Sequence, residues 1–153
     1  MTTTRFSIPT RTDLGLAALR LATGAIFAIH GGQKLFVYGF GGVTGAFGQM
    51  GVPMPGVVGP LVALVEFFGG LALVVGLLTR LASLGLAAVM LGAISLVHIS
   101  AGFFAPQGFE FPLALLGAAL TLLLTGAGRL SLDAILAGRR SAPSDDRTVR
   151  RVA

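Results

Sequence analysis

The sequence contains no cysteine, and only 11% of its 153 residues are charged. Without cysteine the chain can form no disulfide and hold no cysteine-bound zinc, so a partner protein would have to supply any thiol chemistry. Soluble domains average about 25% charged residues. This chain instead combines its low charge with 54% hydrophobic residues and a mean hydropathy of +0.89. The composition therefore excludes an ordinary soluble domain and indicates a membrane protein.

The length limits how many times the chain can cross a membrane. A spanning helix needs about 20 mostly apolar residues, so four crossings need about 80 residues and leave room for loops and a tail, whereas six would not fit. Four apolar runs are visible, at residues 14–38, 56–78, 81–104 and 111–126. We therefore predict an all-α fold, a four-transmembrane-helix bundle.

Two shorter segments accompany the predicted spans. Residues 39–55 are too rich in glycine and proline to span, yet Val43, Phe47 and Met50 recur at helical spacing. This predicts a short interfacial segment after helix 1, with a loop packed on the bundle as the alternative. After helix 4, Ser131 can cap a short surface helix in which Asp133 suits the positive helix start.

The basic residues indicate how the chain is oriented. We divide it into a cytoplasmic N-terminal segment (1–13), a four-helix membrane domain (14–137) and a disordered basic cytoplasmic tail (138–153). With four spans, both termini and the turn at residues 79–80 share one side, and cytoplasmic loops carry an excess of Lys and Arg. That side holds nine of the eleven basic residues, namely Arg5, Arg11, Arg80, Arg129, Arg139, Arg140, Arg147, Arg150 and Arg151. Both termini are therefore predicted to be cytoplasmic, and the net charge of +5 is explained without a nucleic-acid partner.

Small residues recur at helical spacing within the apolar runs. Lipid tails are as apolar as leucine, so membrane helices associate by close packing over small side chains. We expect helix contacts along three such stripes, which comprise Gly24, Ala28 and Gly32 in the first run, Ala82, Gly85, Ala88, Gly92 and Ser95 in the third, and Ala114, Ala118 and Thr121 in the fourth.

Five ionisable residues lie inside the apolar runs, where a charge costs about 2.5 to 3.5 kcal/mol at the bilayer centre. At about 100° per residue, those on the first helix share one arc that can face the bundle interior. Estimated depths make Lys34 and His30 the expected partners of Glu66, with a structural role for Arg20. The predicted buried polar or ligand-binding cluster comprises Arg20, His30, Lys34, Glu66 and His98.

Two interpretations of this cluster stay open. Buried ion pairs can fix which helices pack together without any chemistry. Alternatively, an apolar, aromatic cavity with a few convergent polar groups suits a flat lipophilic ligand such as a quinone. Neighbouring side chains extend the second interpretation to Gln33, Glu110, Phe67 and Phe68. The histidines lack a dense ligand motif, so we predict no metal site.

The order of several motifs resembles the DoxX family of small four-helix bacterial inner-membrane proteins. The resemblance covers about residues 14–136 and rests on HGGQKL at 30–35, GVP at 51–53, EFFGG at 66–70, GLLTR at 76–80, His98, FEFP at 109–112 and GAGRLSLD at 126–133. It implies an inner-membrane location and an association with quinone-dependent or thiol-handling redox complexes. No flavin, haem or nicotinamide motif accompanies it.

The leading hypothesis is a membrane subunit that binds a quinone-like or other lipophilic molecule and assists a membrane or periplasmic redox partner. Such a subunit is at most an accessory to an oxidoreductase, since no self-contained catalytic motif is present. The first alternative is a non-catalytic assembly or interaction protein. The second is a small transporter, for which a chain of this size would need a homodimer to form a path.

Overall fold

The computed structural model describes residues 9–140 as an all-α protein. Its α-helices are α1 (Arg11–Gly32), α2 (Gly39–Gln49), α3 (Pro55–Val75), α4 (Thr79–Ala93), α5 (Glu110–Thr125) and α6 (Leu132–Arg140). Residues 1–8 and 141–153 lie outside the described part, and with them most of the predicted terminal segments. Helix α6 extends three residues into the predicted tail.

Helix α1 begins earlier than the apolar run because a capping box starts it. The side chain of Thr10 accepts a hydrogen bond from the backbone N–H of Asp13, and the Asp13 carboxylate accepts one from the backbone N–H of Thr10. These reciprocal bonds satisfy N–H groups that an uncapped helix leaves without partners. The first helical turn therefore starts at Arg11.

The first helical stretch is longer than a single straight span. Residues Arg11–Gln49 form 39 helical residues, or about 58 Å, against a hydrocarbon thickness of about 30 Å. The stretch bends at Gly39, whose φ of +64° is a left-handed backbone conformation that favours glycine. Beyond the bend, α2 packs on α3 through Val43, which is only 2% exposed. The segment after the first span is therefore a helix, and the loop alternative was wrong.

Within residues 9–140, three helical stretches are long and apolar enough to cross a membrane, namely Arg11–Gln49, Pro55–Val75 and Thr79–Ala101. Helix α5 is apolar but has only 16 residues, or about 24 Å, so it is shorter than the hydrocarbon. It packs along α4, and α3 packs between α1 and α4. The core where these helices meet is built from large apolar side chains, including Phe27, Leu73, Leu86 and Leu122.

Glycine sets the distance between α1 and α3. A Cβ added at Gly31 would lie 2.7 Å from Phe67 Cα, and one added at Gly24 would lie 2.7 Å from Gly70 O. The close contact predicted at Gly24 is thus confirmed. The stripe predicted on α4 was wrong at Gly92, where an added Cβ would meet nothing within 4 Å.

One end of the bundle is tied together by two carboxylates. Asp13 accepts a hydrogen bond from the backbone N–H of Arg129. Asp133 accepts from the backbone N–H groups of Leu78 and Thr79, at 2.8 and 2.9 Å. Ser131 caps α6 as predicted. Asp133 lies in the first turn of α6, also as predicted, and its carboxylate caps the start of α4. The start of α1, the α3–α4 turn and the segment before α6 therefore lie at the same end.

Candidate functional site

A partly buried ion pair joins α3 to the helical stretch that follows α1. Lys34 Nζ contacts Glu66 Oε2, and the two side chains are 20% and 6% exposed. Gly31 lies one turn before Lys34, directly against the backbone of Glu66 and Phe67. Because Gly31 has no side chain, the two helices approach closely enough at this level for Lys34 to reach Glu66. The pairing predicted from the sequence is thus present in the structure.

The ion pair lines a cavity of about 640 Å³ that is enclosed by residues of all five helices from α1 to α5. His30 and His98 line the same cavity. All its other lining residues are apolar or glycine, namely Ile26, Phe27, Phe47, Met50, Val52, Val58, Leu61, Val62, Val65, Gly85, Ala88, Val89, Met90, Gly92, Ala93, Leu96, Val97, Pro106, Gly108, Phe111, Pro112 and Leu115. Cavities of this size with a few polar groups are typical of small-molecule sites.

The two histidines bring different hydrogen-bonding capacity to the cavity. His98 Nδ1 lies 2.8 Å from the carbonyl oxygen of Gln107, which can only accept a hydrogen bond. Nδ1 therefore carries the proton, which leaves Nε2 of a neutral ring as an acceptor. His30 is exposed, and its ring forms no hydrogen bond with any of residues 9–140. Both rings can therefore form a hydrogen bond with a ligand in the cavity.

Two interruptions of regular helix geometry border the cavity. Residues Gln33–Tyr38 and Ile94–His98 form π-helical segments. The first carries Lys34, and the second carries Leu96, Val97 and His98, all of which line the cavity. A π-helical segment rotates the side chains that follow it, and such segments occur frequently at functional sites.

Arg20 lies apart from the other predicted cluster residues. It is 4% exposed, and its guanidinium donates to the carbonyl oxygens of Ala127 and Leu130, at 3.2 and 2.7 Å. Its side chain leans toward the end of the bundle where these carbonyls lie, as side chains on a helix lean toward the N-terminus. Arg20 therefore holds the segment before α6, and it does not line the cavity.

The four neighbouring residues considered from the sequence do not line the cavity either. Gln33 is exposed, and Glu110 accepts a hydrogen bond from the backbone N–H of Ala105, which closes the loop before α5. The rings of Phe67 and Phe68 stack edge to face at 5.2 Å, and Phe67 contacts Phe36 in the same way at 5.4 Å. They form an aromatic row outside the cavity.

Sequence reasoning missed much of the apolar wall. The helical spacing of Phe47 and Met50 does not predict that they line the cavity, and the bend at Gly39 places them there. Ala88 and Gly92 were expected to pack against another helix, but they line open space. The small size of these residues is a usable signal, since it suits a cavity as well as a contact.

The cavity can hold a largely apolar molecule, and a few polar side chains in its wall can form hydrogen bonds with that molecule. Lys34 supplies hydrogen-bond donors, Glu66 supplies acceptors and balances the lysine charge, and His98 Nε2 supplies a further acceptor. Within residues 9–140 no group of three His, Asp or Glu side chains is placed to hold a metal ion.

Comparison with known proteins agrees with this membrane architecture. The DoxX family model matches residues 15–99. The chain is 34% identical to "Putative oxidoreductase CatD" of Bacillus subtilis (strain 168), over 79% of this chain and 86% of that protein. It is 35% identical to the inner membrane protein YqjF of Escherichia coli (strain K12), over 81% of this chain and 93% of the relative.

A third relative is the uncharacterized membrane protein Rv3486 of Mycobacterium tuberculosis (strain ATCC 25618 / H37Rv), 35% identical over 81% of this chain and 82% of its own length. No solved structure matches the chain significantly. The family match covers more than half of the chain, and these relatives align with most of it. The chain is therefore a membrane protein of the DoxX family.

Proposed function

We propose that the cavity binds a quinone-like lipophilic molecule, and that the protein thereby assists a redox partner. The observation that carries this proposal is the Lys34–Glu66 pair in the wall of a largely apolar cavity of about 640 Å³. A purely structural ion pair would be expected to pack against side chains on all sides, because voids cost contact energy. Here His30 and His98 line the same space.

The side chains fit the polar oxygens of such a ring. Lys34 can donate a hydrogen bond to a ring oxygen while Glu66 keeps its charge balanced. His98 Nε2 can accept a proton from a ring hydroxyl, because its Nδ1 proton is committed to Gln107. When bound, the quinone would supply two-electron chemistry, and the partner would supply or remove the electrons. The relative CatD carries an oxidoreductase name, which agrees with an accessory redox role.

The membrane arrangement is part of the same proposal. YqjF is named an inner membrane protein, and we place this chain in the same membrane as a four-span bundle with α5 as the short fourth span. Asp13 and Asp133 gather the start of α1, the α3–α4 turn and the segment before α6 at one end. Arg11, Arg80 and Arg129 lie in these three segments, so we assign that end to the cytoplasm.

Because the chain lacks cysteine, single introduced cysteines test this orientation directly. A maleimide that cannot cross membranes should label Gln107→Cys in intact cells and should label Leu136→Cys only after the cells are opened. Both native side chains are exposed. The reverse labelling pattern would refute the assigned orientation.

Ligand binding can be followed by fluorescence because the chain contains no tryptophan. Phe47→Trp places a single indole in the cavity wall, and Phe40→Trp, at an exposed position outside it, is the matched control. In lipid nanodiscs, a benzoquinone should quench Phe47→Trp saturably and quench Phe40→Trp only by collision. Equal, unsaturable quenching of both would refute binding in the cavity.

The role of the ion pair is tested in the Phe47→Trp background. Removing one of the two charges leaves the other buried without a partner and lowers the free energy of unfolding by about 3–5 kcal/mol. Replacing both residues with apolar ones is often neutral for stability. The double variant Lys34→Met, Glu66→Leu should therefore stay folded and bind quinone about tenfold to a hundredfold more weakly, the loss expected for one charged hydrogen bond. A folded double variant with unchanged affinity would show that the pair only fixes helix packing.

A further inference from the structure

The exposed side of α3 faces lipid through a stripe of large apolar residues. Leu61, Leu64, Phe68, Leu71 and Val75 recur at intervals of three and four residues, and each is exposed. In a membrane protein, such a stripe is the face that contacts the bilayer. Leu61 belongs to this stripe and also lines the cavity.

Helix α4 repeats this pattern from the other side. Leu81, Leu84, Ala88 and Leu91 are exposed at helical spacing. Of these, Ala88 also lines the cavity. The two helices are antiparallel neighbours, so each contributes one residue that belongs to both the lipid-facing stripe and the cavity wall.

Helices α3 and α4 are in close contact near Gly69 and Gly85 and lie apart near Gly92. A Cβ added at Gly85 would lie 3.2 Å from Val65 Cγ1, and one added at Gly69 would lie 3.2 Å from Leu86 Cγ. Two turns beyond Gly85, Gly92 has nothing within 4 Å of its Cβ position. The two helices therefore diverge toward the start of α3.

We propose that the gap between Leu61 and Ala88 is a lateral opening through which a chain-bearing amphiphile enters the cavity from the bilayer. This inference rests on the proposed binding of a lipophilic molecule, and it specifies the class: a polar head on a hydrocarbon chain. The head lies at the Lys34–Glu66 wall, and the chain leaves between Leu61 and Ala88 into lipid. A chain that stays in lipid needs no room in the cavity, so its length is not limited by the cavity volume.

The distribution of polar groups supports an amphiphile. Lys34 and Glu66 lie in the wall formed by α3 and the stretch after α1, whereas Leu61, Ala88 and Gly92 near the opening are apolar. A molecule that enters from lipid meets its hydrogen-bonding partners only after it has crossed this apolar rim. The polar head of the molecule therefore lies at the Lys34–Glu66 wall, and its hydrocarbon chain lies in the opening.

The test compares two probes that share one ring in the Phe47→Trp background. The probes are 2,3-dimethoxy-5-methyl-1,4-benzoquinone and its 6-decyl derivative, with concentrations expressed as mole fraction in the nanodisc lipid. Ala88→Phe narrows the opening, and Ala114→Phe makes the same change at an exposed position of α5 outside the cavity. Leu61→Phe narrows the opening independently from α3.

We expect Ala88→Phe and Leu61→Phe to weaken binding of the decyl probe about tenfold more than binding of the chainless probe, a difference equivalent to 1.4 kcal/mol. Ala114→Phe should change neither. Equal weakening of both probes, or no weakening of either, would overturn the lateral opening while leaving cavity binding intact. If neither probe quenches Phe47→Trp saturably before any further change, the proposed function itself fails.

Discussion

Replacing Gly31 with alanine should push apart the two helices that form the ion pair. The added Cβ would lie 2.7 Å from Phe67 Cα and 2.8 Å from the carbonyl carbon of Glu66, whereas ordinary contacts begin at 3.4 Å. Both neighbours are backbone atoms, so no side-chain rotation can relieve the overlap. The helices must separate by roughly half an ångström or more, which opens voids along their contact.

The expected cost follows from two opposing effects. Overpacking costs about 1–3 kcal/mol, and a rigid backbone neighbour favours the upper part of that range. Alanine in place of glycine within a helix contributes about 0.5–1 kcal/mol in the other direction. Gly31→Ala should therefore destabilise the protein by about 1–2.5 kcal/mol.

Gly117→Ala is the matched control, since a Cβ there meets nothing within 4 Å and only the helix effect remains. It should stabilise the protein by about 0.5–1 kcal/mol. The measurement is thermal unfolding in detergent, followed by the helical circular dichroism signal. Shifts of opposite sign are expected, and a Gly31→Ala variant as stable as Gly117→Ala would refute the close approach of α1 and α3.

Three further variants test other parts of the structure. Gly92→Leu should fill the cavity and abolish saturable quinone quenching in the Phe47→Trp background without loss of stability, while Gly117→Leu should leave quenching intact. Arg20→Met removes the donor of two backbone carbonyl groups, so the segment before α6 should become more mobile. We expect a protease to cleave this segment faster than in the parent protein, and an unchanged cleavage rate would contradict the prediction. Asp133→Ala should lower the free energy of unfolding by about 1 kcal/mol through the lost cap on α4, as thermal unfolding would reveal.

The apolar runs and the charge pattern predicted much of the fold. The bounds of α3, of α5 and of the helical stretch Thr79–Ala101 lie within a few residues of the runs that predicted them, because long apolar segments are a strong local signal. Helix α5 has 16 residues and is as short as its apolar run predicted, whereas the first helical stretch continues past its predicted end. The glycine-rich residues 39–55 predicted a short interfacial segment after the first span. The structure bends at Gly39, and beyond it Gly39–Gln49 is a helix that packs on α3.

The site was only partly readable from the sequence. The pairing of Lys34 with Glu66 followed from the estimated depth of each residue along its helix and from the direction in which helical side chains point. Both depend on helix geometry alone. The role of Arg20 was also anticipated as structural, but not its backbone partners, because these lie more than 100 residues away in the chain. Glycine and alanine on α4 were ambiguous, since a small side chain fits a close contact and an open cavity equally well.

The sequence by itself determined that this is a helical membrane protein with a few ionisable residues among its apolar runs, because hydropathy and helical periodicity are properties of neighbouring residues. Only the tertiary structure decided which polar groups meet and where open space remains. Lys34 reaches Glu66 because Gly31 lets two helices approach, and the cavity exists because α3 and α4 diverge beyond Gly85. Such distances between helices depend on packing across the whole bundle.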